Sequence, residues 1–212
     1  MTADHRFLRL SKGTAVAGLV AATALLAGCS ADRPVPNDTA MPVHEGCTSY
    51  DGRFATADAG NGLTVSLPQP QGWERVSDKE SAATPIVLEN QADATAAFTP
   101  SATVSVGQAT GSLEEIRDSE ERRLREQVSL DTSTGQKTEV CGFAAYTVDT
   151  DTADAPGVPA HPYLDRIVII PDAGQTGQST TVTLAVQTVA TDGDEIDSDT
   201  ATMLDKVQIA KK

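Results

Sequence analysis

The chain is short of the residues on which catalysis and ring stacking usually rest. Aromatic residues make up 4% of its 212 residues, with one tryptophan, three histidines and three cysteines. So few rings exclude a carbohydrate-binding platform of stacked aromatics. Nucleophilic catalysis needs a base beside its serine or cysteine. His5 belongs to the N-terminal leader and His44 to a Pro-rich arm, and His161, between Pro159 and Pro162, reads as a surface turn residue at a strand entrance. There is no G-x-S-x-G elbow. His44-Glu45 lacks the second histidine of a helical zinc motif, and Gly107-x-x-x-Gly111 leads into Ser112 without a lysine, so it is a turn before a helix and not a phosphate cradle. The chain is expected not to be an enzyme and to hold no cofactor.

Basic residues are scarce as well: 16 Lys+Arg stand against 30 Asp+Glu, a net charge of −14. Without residues 1–28 the balance is 13 against 29, a net of −16. Such a surface repels nucleic acid and anionic phospholipid, so neither is expected as a direct ligand. There is no internal repeat. The uncharged apolar stretch Gly13 to Ala27 is too short for a stable membrane span.

What that stretch does have is the form of a secretory leader: Arg6, Arg9 and Lys12 precede it and Leu26-Ala27-Gly28-Cys29 follows. The Leu-small-Gly-Cys order is the form that lipoprotein processing requires. It predicts a signal peptide over 1–28, acylation of Cys29, and a protein held on the extracytoplasmic face of the cell membrane by its lipid. Acyl chains contribute about 0.8 kcal/mol per buried CH₂, so two or three on Cys29 anchor the chain without a transmembrane helix. Cys47 and Cys141 then remain as an even pair in an oxidising compartment, and a disulfide between them is expected. They lack the C-x-x-C spacing of a redox-active pair.

Residues 29–60, with Pro34, Pro36 and Pro42 and few apolar side chains, read as the lipidated cysteine and a flexible tether. The folded domain is expected over 61–212. Leu63, Val65 and Leu67 alternate with polar residues, and further strands are expected at Trp73–Val76, Ile86–Leu88, Ala102–Gly107, Lys137–Thr150 with a bulge at Gly142, Pro162–Ile170 and Thr180–Ala190. Ser112 and Glu115 form a capping box for a helix whose apolar stripe is Leu113, Ile116, Leu124 and Val128. A last helix, about Glu195 to Val207, places Ile196, Met203, Leu204 and Val207 on one side. Runs of strands interrupted by two helices predict an α+β fold, a mostly antiparallel β-sheet flanked by helices.

The lipobox, the element Leu67-Pro68-Gln69-Pro70-Gln71-Gly72-Trp73, the Ser112-capped helix and a C-terminal helix running into Val207-Gln208-Ile209 together resemble the actinobacterial LpqN/LpqT lipoproteins. The resemblance spans roughly Gly62 to Ile209 and implies a Mog1/PsbP-like sandwich, with an acidic insertion at Asp149–Pro159 as a departure. It also implies a non-catalytic envelope protein that works through protein partners in envelope biogenesis, or with host factors in a pathogen.

Two groups of residues keep an alternative open. Asp192, Asp194, Asp197 and Asp199 offer the hard oxygens that calcium takes. However, the sixth loop position of an EF-hand falls on Asp197 and the twelfth on Met203, and acidic residues also favour a helix N-terminus through its dipole. No metal is expected. Trp73 is a candidate for lining a ligand site, although a lone tryptophan after a glycine is more often core. The leading expectation is therefore a monomeric, membrane-anchored interaction module that binds an envelope protein through a sheet edge or the charged helix. The alternative is a carrier of a small apolar ligand or lipid, held between sheet and helix near Trp73.

Overall fold

The computed structural model describes residues 45–128, 135–152, 160–172, 176–189 and 198–211. All belong to the unit Asp38–Lys212, while the unit Met1–Asn37, with Cys29 in it, lies outside the described residues. Among the described residues ten strands and two α-helices follow one another. They are β1 (Phe54–Gly60), β2 (Leu63–Pro68), β3 (Trp73–Arg75), β4 (Ile86–Asn90), β5 (Ser101–Thr110), α1 (Leu113–Val128), β6 (Gln136–Val140), β7 (Phe143–Asp151), β8 (Pro162–Pro171), β9 (Gln178–Gln187), α2 (Ser198–Lys206) and β10 (Gln208–Lys211). One turn of 3₁₀ helix, Ser77–Lys79, joins β3 to β4. No described helix is long and apolar enough to cross a membrane.

The strands form two antiparallel sheets: β1-β2-β10, and β3-β4-β5-β9-β8-β7-β6. The α+β class read from the sequence is what the structure shows. Alternation divides the large sheet into two faces, because successive side chains of a strand point oppositely. On β8, Leu164, Val168 and Ile170 join Leu63, Val65, Leu67, Met203, Leu204 and Ile209 in the larger core, where the small sheet and α2 cover the large one. Tyr163, Ile167 and Ile169 point the other way and meet Ile116 of α1 together with Tyr146 and Val148.

Several boundaries differ from the expectation. The domain starts before residue 61, because β1 pairs with β2 from Phe54↔Pro68 to Gly60↔Leu63. Its buried positions are alanines, Ala55 and Ala59, so its alternation carries little apolar signal. Gly142 is not a bulge. Cys141 and Gly142, at φ 51° and 77°, form the two-residue turn of the β6–β7 hairpin, as Asn61 and Gly62, at 49° and 70°, do for β1–β2. Positive φ at both central positions makes these type I′ turns, whose twist matches the strands they join. The acidic segment expected as a loop from Asp149 is strand at its start, since β7 continues to Asp151, and residues 153–159 lie outside the described residues. Leu113 leaves the expected helix stripe and is 48% exposed, whereas Ile116 is buried.

Candidate functional site

α1 begins where the capping box places it. The Glu115 carboxylate accepts from the Ser112 N–H at 2.8 Å, and Ser112 Oγ accepts from the Glu115 N–H at 3.3 Å. Hydrogen bonds from the Ser112 N–H first, and from the Ser112 side chain second, hold the Glu115 carboxyl below its ordinary range. The helix then crosses the large sheet next to the β6–β7 hairpin. Arg117 lies 5.9 Å from the Tyr146 ring centre, and the Tyr146 hydroxyl donates to Glu121 Oε2 at 3.2 Å. A guanidinium over a ring face and one hydroxyl hydrogen bond therefore steady the helix at its middle.

The first turns of α1 stand off the hairpin and leave an open, mostly apolar groove of about 270 Å³. Ala144, Ala145, Tyr146 and Ile169 contribute to its lining from the sheet, with Lys137 and Glu139 on β6 and Leu113, Glu114 and Arg117 on the helix. Leu113 is the one exposed large hydrophobic side chain among the described residues. The groove thus presents an apolar surface beside a strand that has, among the described residues, no neighbour on its outer edge.

The residues singled out in the sequence lie elsewhere. Trp73 is 1% exposed, and its indole N–H donates to Asp199 Oδ2 at 3.0 Å, tying β3 to the first turn of α2. The cleft it borders, about 220 Å³, is of mixed character, with Pro100 and Val189 beside Asn90, Asp93, Thr188 and Asp199. Asp199, one of the four calcium candidates, is this indole's acceptor. Asp192, Asp194 and Asp197 lie outside the described residues, among which no cluster of His, Cys, Asp or Glu could hold a metal ion. His161 is buried rather than a surface turn residue: Thr152 Oγ1 lies 3.0 Å from Nδ1, Gln187 Oε1 lies 3.1 Å from Nε2, and the Phe98 ring centre is at 4.1 Å.

Cys47 and Cys141 are joined by a disulfide with Cα atoms 4.0 Å apart, which fastens the first described residues to the β6–β7 turn. The Ile209 N–H donates to Cys141 Sγ at 3.3 Å, so β10 meets the same point. Nearby, Arg166 donates to the Leu204 carbonyl at 2.5 Å and to Asp205 Oδ1 at 3.2 Å, satisfying the C-terminal end of α2 with a cation.

Sequence reasoning missed Asp165. It lies on β8 on the α1 side of the sheet, 0% exposed, and neither carboxylate oxygen has a hydrogen-bond partner. Burial pushes its pKa up to about 7; Arg123 works against this shift and Glu120 adds to it. The neighbouring Tyr163 hydroxyl is raised too, by burial first and by Asp165 second. Its strand, Pro162–Pro171, carries the charged Arg166 directly after it, so the sequence alone does not single Asp165 out.

Two antiparallel sheets packed with two helices, with the first described residues stapled to a hairpin turn, define an α+β sandwich. The sequence model of the probable lipoprotein LpqN family matches residues 53–210, and the chain belongs to that family. This is the family whose resemblance the lipobox and the Gly72-Trp73 element carried. Among solved structures, LpqN of Mycobacterium tuberculosis, involved in cell envelope biogenesis, is 18% identical over 74% of this chain and 90% of its own, with a TM-score of 0.48. The Saccharomyces cerevisiae Ran-binding protein Mog1p is 13% identical over 74% of this chain and 95% of its own, with a TM-score of 0.46. No curated protein matches the sequence at a significant level.

Proposed function

We propose that the protein is a non-catalytic accessory module of the cell envelope, acylated at Cys29 on the extracytoplasmic face of the membrane, that docks a partner protein in the groove between α1 and the β6–β7 hairpin. Membership of a lipoprotein family supports the anchor. The observation that carries the docking site is Leu113, the one large hydrophobic side chain exposed among the described residues, which lies at an apolar groove. The occupant is an envelope-protein segment with an apolar anchor and basic flanks. Glu114 and Glu139 line the groove alongside Arg117 and Lys137, so it is the net charge of −14 that the chain presents around it that calls for basic flanks.

A photo-crosslinking residue at position 144 in intact cells tests this. The expected result is one reproducible partner whose crosslinked peptide has Lys or Arg flanking an apolar residue. That product should be lost in Leu113→Asp and should leave the membrane fraction in Cys29→Ala. Recovery of abundant bystanders alone would overturn the reading. So would a stoichiometric lipid bound to the purified protein in native mass spectrometry, which would favour a carrier.

A further inference from the structure

β6 is the last strand of the large sheet, and its sequence is Gln136-Lys137-Thr138-Glu139-Val140. Its inner edge is taken by β7, from Val140↔Phe143 to Gln136↔Thr147. A type I′ turn closes on a hydrogen-bonded pair, here Val140 and Phe143. Antiparallel pairs then alternate, so Val140, Thr138 and Gln136 bond to β7, and the backbone N–H and C=O groups of Lys137 and Glu139 point to the outer edge. Edge strands with free ladder groups are templates for another strand, and proteins commonly block them with charge. Here the two charges are of opposite sign and stand symmetrically about Thr138.

We infer that β6 pairs with β6 of a second copy of this chain, antiparallel about a two-fold axis through Thr138. In that register Lys137 of each copy lies opposite Glu139 of the other. Both residues use the backbone groups that face outward, and the two threonines form the intervening close pair. Opposite charges and paired threonines are favourable cross-strand neighbours, whereas like charges directly opposite repel. The strand is thus its own complement in side-chain charge and in backbone register at once. Directly opposed side chains share a face of the sheet, so the axis stands perpendicular to it and both α1 helices lie on one side of a continuous fourteen-strand sheet. The contact is isologous and closes at two copies. It goes beyond the docking reading and does not depend on it: Lys137 and Glu139 also line the groove, but the pairing needs their outward backbone groups and not Leu113.

Sedimentation of the full chain carrying Cys29→Ala, across a concentration series, tests the pairing. A monomer–dimer equilibrium is expected. Lys137→Glu and Glu139→Lys, each at an exposed position, should weaken self-association by about tenfold or more, because both symmetric pairs become like-charged. The double swap K137E/E139K should restore it. A mixture of the two single variants should form heterodimers, since one copy then offers two acids to two lysines. Thr138→Pro should disrupt the pairing, and Leu113→Asp should leave it unchanged. A chain that stays monomeric throughout, or a dimer indifferent to both reversals, overturns the inference; the crosslinking result at position 144 stands or falls separately.

Discussion

Asp165 places a carboxyl where water does not reach it, among Val148, Tyr163 and Ile167 beneath α1. An unfolded aspartate ionises near 3.8, whereas the folded one keeps its proton up to about 7. Between those values the unfolded chain has lost a proton that the folded chain retains, so stability falls as pH rises from about 4 to about 7 and levels off above. A shift of this size corresponds to roughly 4 kcal/mol at most. Asp165→Asn should flatten that slope. At pH 8 its melting temperature should exceed that of the parent by on the order of 5 °C, with little difference at pH 4. A parallel fall in both proteins would show that the carboxyl is solvated. No local pattern in the sequence distinguishes Asp165 from a solvent-facing strand residue. Which side of β8 it takes, and that α1 covers that side, are decided by the packing of distant elements.

The β6–β7 hairpin gathers several constraints in two turn residues. Cys141 sits at φ 51°, a conformation that costs an ordinary L-residue about 1–2 kcal/mol, and it also carries the disulfide to Cys47. Reduction should lower stability by roughly 4 kcal/mol, as expected for a closed loop of this length. In a Cys47→Ser background, Cys141→Asn should be more stable than Cys141→Ser, because asparagine tolerates the left-handed region. Denaturation followed by Trp73 fluorescence reads both comparisons, and equal midpoints for Asn and Ser would remove the strain argument. Elements of this kind were partly legible. The Ser112–Glu115 box marked the start of α1, and Leu63-Val65-Leu67 marked β2. Asn61-Gly62 is the strongest short hairpin signal available, but the strand before it, β1, alternates on alanine and so carries little apolar signal. The Trp73–Asp199 hydrogen bond spans 126 residues, and no local pattern announces it.

At the scale of the whole molecule the acid surplus dominates. The described ion pairs, such as Arg75–Glu80, Arg123–Glu120 and Arg166–Asp205, engage cations the chain has few of, and a net charge of −14 remains to repel itself. Adding sodium chloride to a low-salt solution should therefore raise the melting temperature by a few degrees, since the Debye length shrinks to about 8 Å at physiological ionic strength. A decrease would mean that the surface pairs outweigh the surplus. The fold class could be read from strand and helix runs alone, but the groove could not. It depends on how far the first turns of α1 stand from Ala144 and Tyr146, a distance set by side chains from three separate segments. The bridge at Cys141 has a mechanical consequence. A pull on the N-terminus enters the domain at the hairpin turn and not at β1, so the backbone between the two cysteines carries no tension. Load from the membrane side would then fall first on the wall of the groove, leaving β1 and β2 unloaded while the bond is intact.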